Sequence, residues 1–136
     1  MRPAAPQTLK FLFLDSHTIE YARGFTRQYG SATKLQQNPV LRPVKPHEFR
    51  RIHLYGTALW DDEASQFKLW YSTHSYASEA ASYLCYATSE DGLVWDRPEL
   101  DAVPGTNIVL DSDRYTHGPS VLRDAAEVDP SRRYKL

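Results

Sequence analysis

The chain has 136 residues, 41% apolar and 24% charged, which suits one domain with a sizeable core. With 16 basic and 17 acidic residues the formal charge is -1, and Arg50-Arg51 and Arg132-Arg133 are the only basic clusters, so the positive field needed for nucleic acid is missing. A lone Cys85 excludes an intrachain disulfide and a thiolate metal cluster, and no apolar run is long enough to span a membrane, so no membrane partner is expected.

Met1-Arg2-Pro3-Ala4-Ala5-Pro6 has little resemblance to a signal peptide, and no compartment is assigned. Residues 1–10 read as a loose leader, and 11–14 as a short strand closed by the turn formers Asp15-Ser16. Residues 18–29 lack a clean period, and Gly24 weakens any helix there. Pro39, Pro43 and Pro46 then hold the chain extended. Strands are predicted over 55–60 and 67–72, separated by the polar turn 61–65. Phe67, Leu69 and Tyr71 face one way. A third strand covers 82–88, with Cys85 as a small buried hydrophobe. After the turn 89–92, Leu93-Val94-Trp95 is predicted as a short fourth strand, which completes a meander. Nine Tyr, five Phe and three Trp agree with an all-β fold.

The pattern then restarts. Leu122-Arg123-Asp124 followed by Tyr134-Lys135-Leu136 echoes Leu59-Trp60-Asp61 followed by Phe67-Lys68-Leu69. Asp61 and Asp124 lie 63 residues apart and Lys68 and Lys135 lie 67 apart, a difference absorbed by a longer second turn. Repeated four-stranded antiparallel sheets at this period suit a β-propeller. The expected organisation is a leader strand and extended segment over 1–54, a complete blade over 55–117, and the start of a next blade over 118–136. An end inside a strand reads as a fragment, with an open sheet edge through which the protein could self-associate.

Ser89-Glu90-Asp91-Gly92-Leu93-Val94-Trp95 is the most specific string in the chain. Asp91-Gly92 favours a tight turn, Ser89 and Asp91 can bond its backbone, and Trp95 can fold back onto the sheet. The string resembles the Ser-x-Asp-Gly-x-x-Trp hairpin of bacterial propeller proteins of the glycosyl hydrolase type. Their architecture is related to the five-bladed furanosidase and arabinosidase superfamily. It is also similar to the sialidase Asp-box, one residue shorter. Leu12-Phe13-Leu14-Asp15, Asn38-Pro39-Val40-Leu41, Phe67-Lys68-Leu69-Trp70-Tyr71, Arg97-Pro98-Glu99-Leu100 and Asn107-Ile108-Val109 carry the same likeness. The resemblance implies a partial five-bladed β-propeller that acts on an oligosaccharide or glycoside.

Glycoside cleavage uses two carboxyl groups, roughly 5–5.5 Å apart in retaining enzymes and roughly 6.5–9.5 Å in inverting ones. In the resembled enzymes these groups come from different blades and face the central mouth, just before each innermost strand. Glu48 and Asp113 are therefore the carboxylate candidates, with Arg50, His53 and His117 as substrate-binding partners. The general acid is expected from a later blade. Asp61 and Asp124 follow the first strand of each unit and read as turn caps. No cofactor is required, although Asn107, Asp111 and Asp113 offer oxygens suited to Ca²⁺. His47, His53, His74 and His117 lack zinc spacing. The alternatives to a glycoside hydrolase are a non-catalytic carbohydrate-binding propeller and an interaction module.

Overall fold

The computed structural model describes residues 12, 15–17, 19–75, 82–112 and 118–136. Among them the regular structure is nearly all β, with two three-residue 3-10 turns, Pro46–Glu48 and Pro130–Arg132. The strands are β1 (Ile52–Asp61), β2 (Gln66–His74), β3 (Ser82–Ser89), β4 (Ile108–Ser112), β5 (Leu122–Arg123) and β6 (Tyr134–Lys135). β1 to β4 form one antiparallel sheet in sequential order, and β5 and β6 form a separate antiparallel hairpin.

The chain divides into two compact units, Met1–Thr33 and Lys34–Leu136. In the first, the Asp15 carboxylate accepts the His17 N–H at 2.8 Å, the turn role expected of that residue. The strand expected over 11–14 lies outside the described residues except for the exposed Leu12. The second unit holds both sheets. It also takes in residues 34–54, which the sequence reading had grouped with the leader.

Period-two alternation divides the four-stranded sheet into two faces. Leu69, Tyr71, Cys85, Ala87 and Ile108 form a buried cluster on one face, with Leu41, Ile52 and Trp95 packed against it. Burial pushes the Cys85 thiol up to about 12, so it behaves as the expected small hydrophobe. The opposite face carries Trp70 and Leu84, joined by Val121 from the approach to β5 and by Tyr134 from β6. The Trp70 ring lies 5.2 Å from Tyr86 and 5.4 Å from Tyr134, both tilted. The second hairpin thus packs on the face of the first sheet rather than extending its edge.

Two expectations need correction. β1 begins at Ile52, three residues earlier than predicted, so His53 lies within the strand instead of before it. The fourth strand is Ile108–Ser112, not Leu93-Val94-Trp95. The reason is local. The Asp91 carboxylate accepts the Leu93 and Val94 N–H groups at 2.8 and 2.9 Å, which removes them from any ladder. Ser89 accepts the Gly92 N–H at 2.8 Å, Gly92 takes φ 74°, and the Trp95 indole donates to the Gly92 carbonyl at 3.1 Å. The motif is a side-chain-built corner, and only Thr88 and Asp96 pair across it.

The repeat read from the letters recurs in the register. Leu59 pairs with Lys68 and Leu122 with Lys135, so corresponding residues occupy corresponding rungs. Asp61 caps its turn by accepting the Glu63 and Ala64 N–H groups, and Asp124 accepts that of Ala126. In each hairpin the lysine returns to the aspartate: Lys68 to Asp61 at 2.6 Å and Lys135 to Asp124 at 3.6 Å. The first pair is joined by the second hairpin, because the Tyr134 hydroxyl donates to Asp61 at 2.7 Å and accepts from Lys68 at 2.9 Å. Hydrogen bonds from Lys68 and then Tyr134 hold the Asp61 carboxyl far below the usual carboxylate range.

β1 reaches β2 through a bulge between His53 and Thr57. Gly56 sits in it so closely that a Cβ would lie 2.0 Å from the Trp70 carbonyl oxygen. That contact is backbone and cannot rotate away. Gly56→Ala should therefore destabilise the protein by about 1–3 kcal/mol, the usual range for overpacking. Urea denaturation reads this directly. An unchanged midpoint would contradict the close approach of β1 and β2.

Candidate functional site

The 3-10 turn Pro46–Glu48 delivers one carboxylate into the protein. Glu48 is fully buried, and both oxygens are occupied. Oε2 accepts the Val44 and Lys45 N–H groups at 2.7 and 2.9 Å. Oε1 accepts the Tyr71 hydroxyl and the Arg97 Nε–H, both at 2.6 Å. Tyr71 stands on the buried face of β2, opposite Cys85, which places its hydroxyl beyond the apolar cluster. Asn107 extends the network by donating to the Tyr71 hydroxyl at 2.8 Å and to the Tyr86 carbonyl at 2.6 Å. Its side-chain oxygen lies 2.7 Å from His47 Nε2. Arg97 also donates to the Arg42 carbonyl at 2.6 Å.

Desolvation by itself would raise the Glu48 pKa. The hydrogen bonds from Tyr71, the two backbone amides and Arg97 outweigh it and hold the carboxyl below its ordinary value. Desolvation likewise opposes the charge on Arg97, and the bond to Glu48 more than restores it. The Tyr71 hydroxyl is pushed well above the ordinary phenol value by burial and then by its bond to Glu48. Glu48 is thus ionised at neutral pH, and Tyr71 is neutral.

A second polar group occupies the opposite face, at the end of the sheet where β1 begins. His53 is registered with Ser72, and His74 with Ser82. The His53 and His74 rings lie 5.2 Å apart, and Ser82 Oγ is 3.2 Å from His74 Nδ1. Ser72, His74 and Ser82 are all buried. His53 Nε2 and Ser72 Oγ are buried with no partner among the described residues. Each such atom costs about 1–3 kcal/mol when left unsatisfied.

Glu48 and His53 are therefore served by opposite faces of one sheet. Arg50 is exposed just after the 3-10 turn. Asp113 and His117 lie outside the described residues. Of the oxygens considered for Ca²⁺, that of Asn107 is engaged by His47, and Asp111 lies within β4, paired with Tyr83. No group of three or more His, Cys, Asp or Glu residues converges among the described residues. Asp61 and Asp124 cap turns, as read from their positions. Sequence reasoning missed Tyr71, Arg97 and Asn107 as partners of Glu48. All three fall inside strings quoted for the family likeness, and that was the available signal.

Comparison of the chain with protein-family models, with curated proteins and with solved structures finds no match to any of them.

The buried anchor has a definite pH signature. A carboxyl depressed in the folded state contributes stability that is complete above its unfolded pKa, about 4.3, and is lost as pH falls through the folded value. Glu48→Gln should cost about 3–5 kcal/mol at neutral pH, because it leaves Arg97 buried without its counter-charge. The gap between variant and wild type should narrow as the solution is acidified below about pH 4. Denaturation midpoints across this range test both statements. A neutral substitution, or a gap independent of pH, would refute the anchor.

Proposed function

We propose that this chain builds consecutive blades of a five-bladed β-propeller of the furanosidase and arabinosidase kind, and that it acts on glycosides. The architectural part is supported by the shared register and repeated Asp–Lys pair of the two hairpins, together with their face-to-face packing. The likeness of the 89–95 corner to the glycosyl hydrolase hairpin supplies the reaction class.

The observation that carries the binding site is the polar end of the sheet. Everywhere else the buried faces are filled chiefly by apolar and aromatic side chains. At the start of β1 the protein instead buries the His74 imidazole and the Ser72 and Ser82 hydroxyls beside the half-buried His53, with His53 Nε2 and Ser72 Oγ unsatisfied among the described residues. Sugar hydroxyls both donate and accept, so they would complement a ring nitrogen and a serine oxygen in either tautomer. Asp113 lies outside the described residues and is taken as the carboxyl of this scheme from the family likeness alone.

Glu48, buried with both oxygens engaged and on the face away from Ser72 and His74, serves this scheme as an anchor of the fold and not as a group on the substrate. Its bonds to Tyr71 and Arg97 stabilise the anion and make it a poor proton donor at neutral pH. The proton donor in this scheme is another carboxyl. In the non-catalytic alternative the same hydroxyl-binding end holds sugar without a second carboxyl in reach.

A panel of aryl glycosides, assayed for hydrolysis and for binding, tests the proposal. The expected result is hydrolysis by the wild type that falls at least about a hundredfold in Asp113→Asn, within the range for loss of general acid–base catalysis. His53→Ala should weaken binding with the fold retained by circular dichroism. Binding without turnover in the wild type would transfer the reading to the carbohydrate-binding module. Neither binding nor turnover would overturn it.

A further inference from the structure

Two clefts adjoin the first half of β1. One, of about 330 Å³, is walled by apolar side chains that include Pro39, Leu41, Ile52, Leu69 and Trp95. The other, of about 480 Å³, carries Arg42, Arg50 and Arg51. They share Pro39, Leu41, Ile52 and His53, so the apolar wall runs into the basic one. Both volumes lie in the range of small-molecule sites.

The charge is the informative feature. The whole chain is nearly neutral, yet three arginines gather on one cleft and, among the described residues, no acidic side chain lines either cleft. The nearby carboxylate, Glu48, is buried and committed to Arg97, so it does not neutralise Arg42 or Arg50. Among the described residues the Arg42 guanidinium makes a single long contact, 3.5 Å to the Asn38 carbonyl, and Arg50 is exposed. Guanidinium groups select planar oxyanions, carboxylates above all, by paired N–H donors. An apolar wall that includes an indole suits the C–H face of a pyranose ring. The Trp95 N–H is already bonded to Gly92, which leaves this residue to act through its apolar surface.

We infer that these joined clefts form a subsite for a uronic-acid unit of an oligosaccharide, with the carboxylate on Arg42 and Arg50 and the ring against the apolar wall. This inference rests on the glycoside reading above and names its substrate class. It places the acidic unit on the face of Leu69 and Tyr71, across the sheet from the polar group of Ser72, His74 and Ser82.

Calorimetric titration with a galacturonic acid hexamer and its fully methyl-esterified form isolates the charge, because the ester keeps the sugar and removes the anion. The acid form should bind about tenfold more tightly, equivalent to about 1.4 kcal/mol. Added salt should narrow the preference. Arg42→Gln and Arg50→Gln should each erode the preference several-fold, by weakening the acid form more than the ester. Both side chains lie outside the Glu48 anchor, which uses only the Arg42 backbone, so folding is preserved. Equal binding of acid and ester, or a preference untouched by either substitution, would overturn the uronate subsite and leave the glycoside reading standing. A sulfated neutral oligosaccharide binding as tightly as the acid would also overturn it, as would sedimentation as a dimer that excludes the hexamer. If neither hexamer nor any neutral glycoside binds, both readings fall together.

Discussion

A buried carboxylate needs compensation on every lone pair, and Glu48 obtains it from three separate stretches of the chain. Its own turn supplies two backbone amides, β2 supplies the Tyr71 hydroxyl, and the segment after the 89–95 corner supplies Arg97. None of these donors can shift far without leaving charge unpaired in a region of low dielectric. The consequence reaches well beyond one ion pair. The proline-rich segment, which has no ladder partners of its own, is fastened across one face of the sheet, and this position creates the clefts between residues 38–43 and the start of β1.

The other face is governed by a different physical device. Trp70, Leu84, Val121 and Tyr134 exclude water between the first sheet and the second hairpin. Asp61, Lys68 and the Tyr134 hydroxyl then fix their lateral position. Apolar contact is tolerant of sliding, whereas a three-membered hydrogen-bonded set is not. Glu63 extends this lock at the surface by pairing with Arg123 and Arg133, although half-exposed pairs of this kind contribute little individually.

Between these two interfaces the sheet changes character along its length. The middle is apolar on both sides, but the end where β1 begins buries Ser72, His74 and Ser82 beside the half-buried His53. Of these, His53 Nε2 and Ser72 Oγ are buried atoms that lack a partner among the described residues, and such atoms oppose folding. The arginine-lined cleft opens on the other face, beside Pro39, Leu41 and Ile52, so the first residues of β1 separate a polar surface from an apolar and basic one.

The sequence by itself determined the all-β class, the strands at β2 and β3, the facing of Phe67, Leu69 and Tyr71, and the turn-capping role of Asp61 and Asp124. It also determined the spacing of the repeat. Each of these follows from local information: alternation, turn chemistry, and residues close along the chain. Only tertiary structure decided that Leu93 and Val94 leave the ladder for the Asp91 carboxylate, and that Ile108–Ser112 takes the fourth place. It alone brought Arg97 and Asn107 to Tyr71 and Glu48, across 49 residues in the case of Arg97. Partners that far apart leave no period or spacing to read. Their selection depends on which groups the folded sheet presents to a carboxylate that water can no longer reach.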